Sequence, residues 1–197
     1  SLTIEELFMK NMTKRGFIIG LVIGAFALAT CSIQAAKVKT EDELIALLGS
    51  AKEKEVIGAM LEMEKYYPTS AKCQAALKPL LTDSRMSVRR KAARVLGVMN
   101  ANVSEAEIKS ICELLKSPDK ATIIDGLKAL RGLKAQSAIP EITPLLKHSD
   151  KNVIRDACRT LAVLGNKSLI PEIAPLLQHA DPSVQKDAAD AIAVLQG

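Results

Sequence analysis

Aromatic residues make up 3% of this 197-residue sequence, and none of them is tryptophan. So few rings leave the chain poorly equipped to stack an extruded base or a run of single-stranded nucleotides. They also leave the interior to Ala, Leu, Ile and Val, in a chain that is 48% hydrophobic. Small aliphatic side chains suit many thin helix–helix contacts better than one wide globular centre. Histidine occurs twice and cysteine four times, with no Cys-x-x-Cys pair, which leaves out the paired-cysteine redox motif. The remaining residues show no recognisable constellation of nucleophile, base and orienting acid. The net charge of +5 is modest, so where the charges fall matters more than their sum. Eight Pro and ten Gly lie mostly between periodic segments, where they punctuate.

The first segment reads as a leader. Ser1–Asn11 read as upstream residues, Lys10, Lys14 and Arg15 are basic, and Phe17–Ala29 carries no charged or strongly polar side chain. Small residues follow, and Ile33-Gln34-Ala35 fits the small-residue cleavage rule. Basic, apolar and small-residue regions in that order resemble a bacterial secretory signal peptide, cut after Ala35. Two alternatives stand beside it. The uncharged run from Gly16 to Ala36 is long enough for a retained anchor. Leu28-Ala29-Thr30-Cys31 resembles a lipoprotein box, departing from it at Thr30. All three predict export, to the periplasm or envelope of a Gram-negative cell, with membrane contact only through a retained or lipidated leader.

The rest of the chain repeats itself. Ile139-Pro-Glu-Ile-Thr-Pro-Leu-Leu returns as Ile170-Pro-Glu-Ile-Ala-Pro-Leu-Leu, 31 residues on. Aligning on the Leu-Leu pair gives Leu47-Leu48, Leu80-Leu81, Leu114-Leu115, Leu145-Leu146 and Leu176-Leu177, at offsets of 33, 34, 31 and 31. A fixed period with matching apolar, Pro and Asp positions predicts an all-α solenoid of about five antiparallel helix pairs. The repeats fall at about 40–67, 70–100, 104–134, 138–165 and 169–197, within a domain spanning 36–197.

Thr40-x-x-Glu43 and Ser104-x-x-Glu107 read as capping boxes that open first helices. Pro140 and Pro171 fall in a first turn, where a missing N–H costs nothing. Pro79, Pro144 and Pro175 should kink the first helices. Asp119, Asp150 and Asp181 should cap second helices. Those helices should bury a stripe such as Val153, Ala157, Leu161 and Leu164, or Val184, Ala188, Ile192 and Leu195. Gly165 and Asn166 should close a helix in a left-handed turn. The polar residues of the last repeat, Gln178 to Asp190, suggest a self-capping monomer, with end-to-end dimerisation as the alternative.

Ile-Pro-x-Ile-x-Pro-Leu-Leu, Asp-Pro-x-Val and the Ala-x-x-x-Leu turn together resemble the short bacterial HEAT repeats, a HEAT-like group also seen in phycobilisome lyase subunits. The resemblance covers about 160 residues and is strongest over the last two repeats. It departs where the family has Arg directly after the Val of the second helix. Only Arg89 holds that place; Ile123, Ile154 and Gln185 hold it elsewhere. That puts the family's Asp–Arg ladder in question here.

His148 and His179 occupy equivalent positions, each two residues before an Asp. A metal bridged by these four residues is one reading; the other is a turn inherited by both copies, with the Asp residues as caps. HEAT-like di-iron hydroxylases carry His-Glu pairs, and this chain has none. Cys158 aligns with Ala93 and Ala189 and reads as a small core residue. A Cys73–Cys112 disulfide is open on an export route.

Nine residues after the aligned Leu stand Arg90, Arg155 and Lys186; thirteen after it stand Arg94, Lys128 and Arg159. Positions four apart share a helix face, so stacking should align these six into a basic stripe. The resemblance implies that second helices line the concave side. The stripe is either a partner-binding surface or a solvated face paired with Asp125, Asp156 and Asp187. The function expected is a non-enzymatic, exported scaffold for a protein partner, an acidic one if the stripe binds it, with no cofactor, metal or small-molecule substrate. The rival readings are a HEAT-type lyase or hydroxylase-like enzyme, and a nucleic-acid module using the stripe.

Overall fold

The computed structural model of the chain describes residues 38–165 and 167–197. The signal peptide, its cut after Ala35 and lipidation at Cys31 lie outside these residues, as does Asn166. Among the described residues there are ten α-helices and no strand. They alternate as first and second members of five pairs. The first members are α1 (Glu41–Leu47), α3 (Ala71–Leu77), α5 (Glu105–Cys112), α7 (Ile139–Ile142) and α9 (Ile170–Ile173). The second members are α2 (Glu53–Tyr66), α4 (Met86–Val98), α6 (Lys120–Gly132), α8 (Lys151–Leu164) and α10 (Pro182–Gln196). Each second helix from α2 to α8 packs against the next second helix, giving a continuous row. No described helix is long and apolar enough to cross a membrane.

The first helices begin as the sequence requires. Thr40 and Ser104 both complete capping boxes with Glu43 and Glu107. Pro140 and Pro171 sit in the opening turns of α7 and α9. The predicted kink takes a specific form: the helix tightens to 3-10 geometry over Lys78–Thr82, Thr143–Lys147 and Ala174–Gln178. Pro79, Pro144 and Pro175 lack the N–H that an α-helical bond four residues back would need. Yet Glu113–Lys116 tightens in the same way without a proline. There Leu114 and Leu115 are both buried. Proline therefore favours the tightening without being required, and burial of the Leu-Leu pair is not required either, since Ala174–Gln178 tightens with neither Leu176 nor Leu177 buried.

Between first and second helices, all five repeats make one turn. A side-chain acceptor takes the backbone N–H two residues ahead: Ser50 from Lys52, Asp83 from Arg85, Ser117 from Asp119, His148 from Asp150 and His179 from Asp181. The repeated histidines are turn-formers, each accepting through Nδ1 at 2.9 Å. Asp119, Asp150 and Asp181 then cap α6, α8 and α10. Replacing His148 by Ala should cost about 1 kcal/mol, the worth of one such bond, in urea denaturation. Replacing it by Ser, the residue of two sister repeats, should cost less than half as much.

Second helices bury the expected stripe. Val88, Ala92 and Leu96, then Val153, Ala157 and Leu161, then Val184 and Ala188 are fully enclosed. Ile192 is half-buried, Ala189 is exposed on the flank of α10, and Gln185 is half-buried, donating to the His179 carbonyl at 2.7 Å. The alignment of Cys158 with Ala189 therefore holds for sequence position but not for burial.

The left-handed turn is not at Gly165, whose φ of −90° is ordinary extended backbone. Gly165 lacks a side chain for another reason: a Cβ there would stand 2.2 Å from Leu169 Cδ1 and 2.7 Å from the Leu161 carbonyl oxygen. The aligned residues of two earlier repeats take the left-handed conformation instead, Asn100 at φ 47° and Lys134 at φ 52°. Ala101 donates to the Leu96 carbonyl and Ala135 to that of Leu130, closing Schellman-type turns. Lysine pays about 1–2 kcal/mol there that glycine does not, and glycine returns part of it as chain entropy. Lys134 is exposed, so Lys134→Gly should stabilise by about 0.5–1 kcal/mol and raise Tm accordingly.

Candidate functional site

The row of second helices brings together most of the basic stripe, and it does so through carboxylates of the following repeat. Asp125 on α6 receives Arg90 Nε at 3.1 Å and Arg94 Nη1 at 3.4 Å, both from α4. Asp187 on α10 receives Arg155 Nε at 2.6 Å and Arg159 Nη2 at 3.0 Å, both from α8. Each aspartate thus holds two guanidiniums spaced one helical turn apart. Asp187 is 5% exposed, while the arginines reach outward from it.

Asp156 holds the equivalent place on α8 and lacks that arrangement. Ile124 and Lys128 stand on α6 where α4 and α8 carry arginine. Ile124 packs against the core, and Lys128 is half-buried and makes no ion pair with a described residue. Arg131 approaches Asp156 Oδ1 only to 3.6 Å. That oxygen is buried and has no hydrogen-bond partner among the described residues. Lys186 leaves the stripe by pairing with Asp190 on its own helix.

A second rail of pairs runs past the helix starts. Lys120 meets Asp150 at 3.0 Å and Lys151 meets Asp181 at 2.8 Å, while Arg90 also reaches Asp119 at 3.4 Å. A ladder between repeats therefore exists, built from residues other than the one after Val. Arg89 instead donates to the Asp83 carbonyl at 2.9 Å, inside its own turn. The lysine rungs were legible in principle: a Lys directly after one capping Asp stands 30 residues before the next capping Asp, one short of the 31-residue period.

These pairs set the acid response. Arg85's side-chain hydrogen bond holds the Asp83 carboxyl down at about 2. The carboxyls of Asp119, Asp150 and Asp181 are also lowered, chiefly by hydrogen bonds from Thr122, Lys120 and Lys151 in turn. A carboxyl lowered by folding adds stability that is present above its unfolded value, 3.8, and is lost as pH falls through its folded one. Urea midpoints should therefore fall steeply between about pH 4 and pH 2, and less steeply in Asp83→Asn.

Cys73, Cys112 and Cys158 are free and buried, so the Cys73–Cys112 disulfide is not formed. Burial raises all three thiols, Cys112 to about 11 and Cys158 to about 12. Such thiols are poor nucleophiles. Among the described residues no group of three His, Cys, Asp or Glu side chains converges as a metal site would require. The imidazoles of His148 and His179 each spend Nδ1 on a backbone N–H instead.

Comparison with known proteins agrees with this architecture. A family model described as HEAT repeats matches residues 139–196. No curated protein sequence matches the chain. Among solved structures, one chain of the complex of CpcE and CpcF of phycocyanin lyase from Nostoc sp. PCC7120 superposes with a TM-score of 0.67 at 24% identity. That match covers 80% of this chain but spans only 65% of the other. An engineered protein superposes with a TM-score of 0.60 at 23% identity, covering 78% of both chains. A designed armadillo repeat protein in complex with the peptide (KR)4 gives 0.60 at 20% identity, covering 77% of this chain and 80% of that one. The chain is thus similar to HEAT repeats over its last two helix pairs, and across the described repeats it shares the α-solenoid fold of these solved structures.

Proposed function

We propose that the chain is a non-catalytic scaffold that binds a protein partner on the exposed face of its second helices. The observation that carries this reading is the clustering of Arg90, Arg94, Lys128, Arg155 and Arg159 on one row of helices, with two pairs each sharing a single aspartate. Arg155 and Arg159 on the single Asp187 carboxylate leave a net positive charge, and both arginine pairs keep unused N–H donors, which suits acidic side chains. A photo-crosslinker placed at Lys128 of the full chain should capture a partner in extract of the producing cell. One placed at Lys109, exposed on α5, should not. Equal capture from both positions, or none from Lys128, would remove the second-helix surface from the account.

We also propose that the protein is exported, on the strength of the basic, apolar and small-residue order of residues 10–36. Protein recovered from the producing cell should begin at Ala36 by intact mass, and diacylglycerol on Cys31 would replace this with the lipoprotein form. The likeness to a phycocyanin-lyase chain, at 24% identity, is a likeness of fold. Visible absorbance acquired by the purified protein on incubation with a bilin would favour a lyase and count against the scaffold. Nucleic-acid binding that falls steeply with salt would favour the remaining rival.

A further inference from the structure

The arginine pairs do not stand alone. One helical turn beyond Arg94 lies Val98, and one turn beyond Arg159 lies Val163; these valines are 50% and 52% exposed. Arg90-Arg94-Val98 on α4 and Arg155-Arg159-Val163 on α8 are therefore the same triad at spacing four, repeated two helix pairs apart. In α6, between them, the corresponding places are Ile124, Lys128 and Gly132. In α10 they are Lys186, Asp190 and Val194, where Lys186 is neutralised within the helix. The pattern is thus complete in alternate repeats, with a single lysine midway.

We infer that this face takes an extended acidic segment of a partner protein at two points. Packed helices lie about 8–10 Å apart, which sets the triads on α4 and α8 about 16–20 Å apart across α6. An extended chain advances about 3.3 Å per residue, so acidic side chains about six residues apart reach both triads together. Each acidic group meets a guanidinium pair that Asp125 or Asp187 already holds in place, so little side-chain freedom remains to be lost on binding. An apolar residue beside each acidic one covers Val98 or Val163. Lys128 lies under the middle of the segment. This inference rests on the second-helix reading above and adds to it the spacing and chemistry of the partner.

The test uses fluorescence anisotropy of the full chain with labelled peptides that share one composition. In the matched peptide, two Asp-Leu pairs are separated by about six residues in a Gly-Ser background. In the control peptide the same pairs are about three residues apart. The matched peptide should bind at least about tenfold more tightly. Arg94→Gln and Arg159→Gln leave Arg90 and Arg155 on their aspartates, and thermal melts check that each variant folds. Each should weaken the matched peptide about tenfold and remove its advantage over the control. Lys109→Gln should leave both affinities unchanged. Equal binding of the two peptides would overturn the two-point arrangement while keeping an acidic-binding face. Failure of both peptides to bind at low salt would overturn the acidic-binding face itself.

Discussion

Replacing Gly132 with valine is expected to destabilise the protein by about 3 kcal/mol, the upper part of the range for overpacking a tight contact. A Cβ at Gly132 would stand 2.3 Å from the carbonyl oxygen of Gly97 and 2.7 Å from its carbonyl carbon. A Cβ at Gly97 would stand 2.7 Å from Ala129 Cα. Both obstacles are backbone, so no rotamer change relieves them, and α4 and α6 would have to move apart. Gly58 on α2 provides the contrast, because nothing lies within 4 Å of its missing Cβ. Gly58→Ala should gain about 0.5–1 kcal/mol through helix propensity alone. Denaturant midpoints moving the same way in both variants would show that the close approach of α4 to α6 is not what fixes Gly132.

Asp187 and Asp156 occupy equivalent positions and should respond in opposite directions to alanine. Asp187→Ala strips Arg155 and Arg159 of their shared partner. It should cost about 2–3 kcal/mol, below the loss for a fully buried pair because water reaches the arginines. Arg159 is 46% exposed, which justifies that reduction. Asp156→Ala removes a buried carboxylate whose Oδ1 has no hydrogen bond. Among the described residues its desolvation is offset by Arg131 alone, at 3.6 Å, so its loss should be neutral or stabilising by up to about 1 kcal/mol. Chemical denaturation of the two variants under one buffer decides the matter. A loss at Asp156 as large as that at Asp187 would mean that Arg131 supplies what the geometry says it does not.

What was legible in the sequence was what depends on local spacing. The Leu-Leu period located each helix pair, because in the first four repeats at least one leucine of the pair is buried and in the fifth Leu176 still packs against the core. Capping residues announced helix starts, because one hydroxyl or carboxylate serves the N–H groups directly after it. Helix ends were harder. Asn100 and Lys134 adopt left-handed backbone while Gly165, the residue most suited to it, does not. The demand at Gly165 comes from Leu169 packing onto it, which no local pattern reveals. The stripe was legible as a column of charge, and four of its five arginine-to-aspartate contacts of 3.4 Å or less end on Asp125 or Asp187, carboxylates expected to pair with it. Which repeat each aspartate serves was not legible, because that depends on the offset between neighbouring helices. Nor did the column of charges disclose that the rail fails at Ile124 and Lys128, leaving Asp156 short of a partner.

That interrupted rail has a mechanical consequence. The junction of α4 and α6 is fastened at Asp125 and again where Gly97 meets Gly132. The junction of α8 and α10 is fastened at Asp187 and at the Lys151–Asp181 rung. Between them, α6 and α8 are joined at the helix starts by Lys120 and Asp150, and farther along by Arg131 and by the Thr160 hydroxyl, which donates to the Leu127 carbonyl at 3.4 Å. Of these three junctions it is the one whose aspartate holds no arginine pair, and it falls midway between the two that do. Any bending at that junction would change the distance between the arginine pairs while leaving each pair intact.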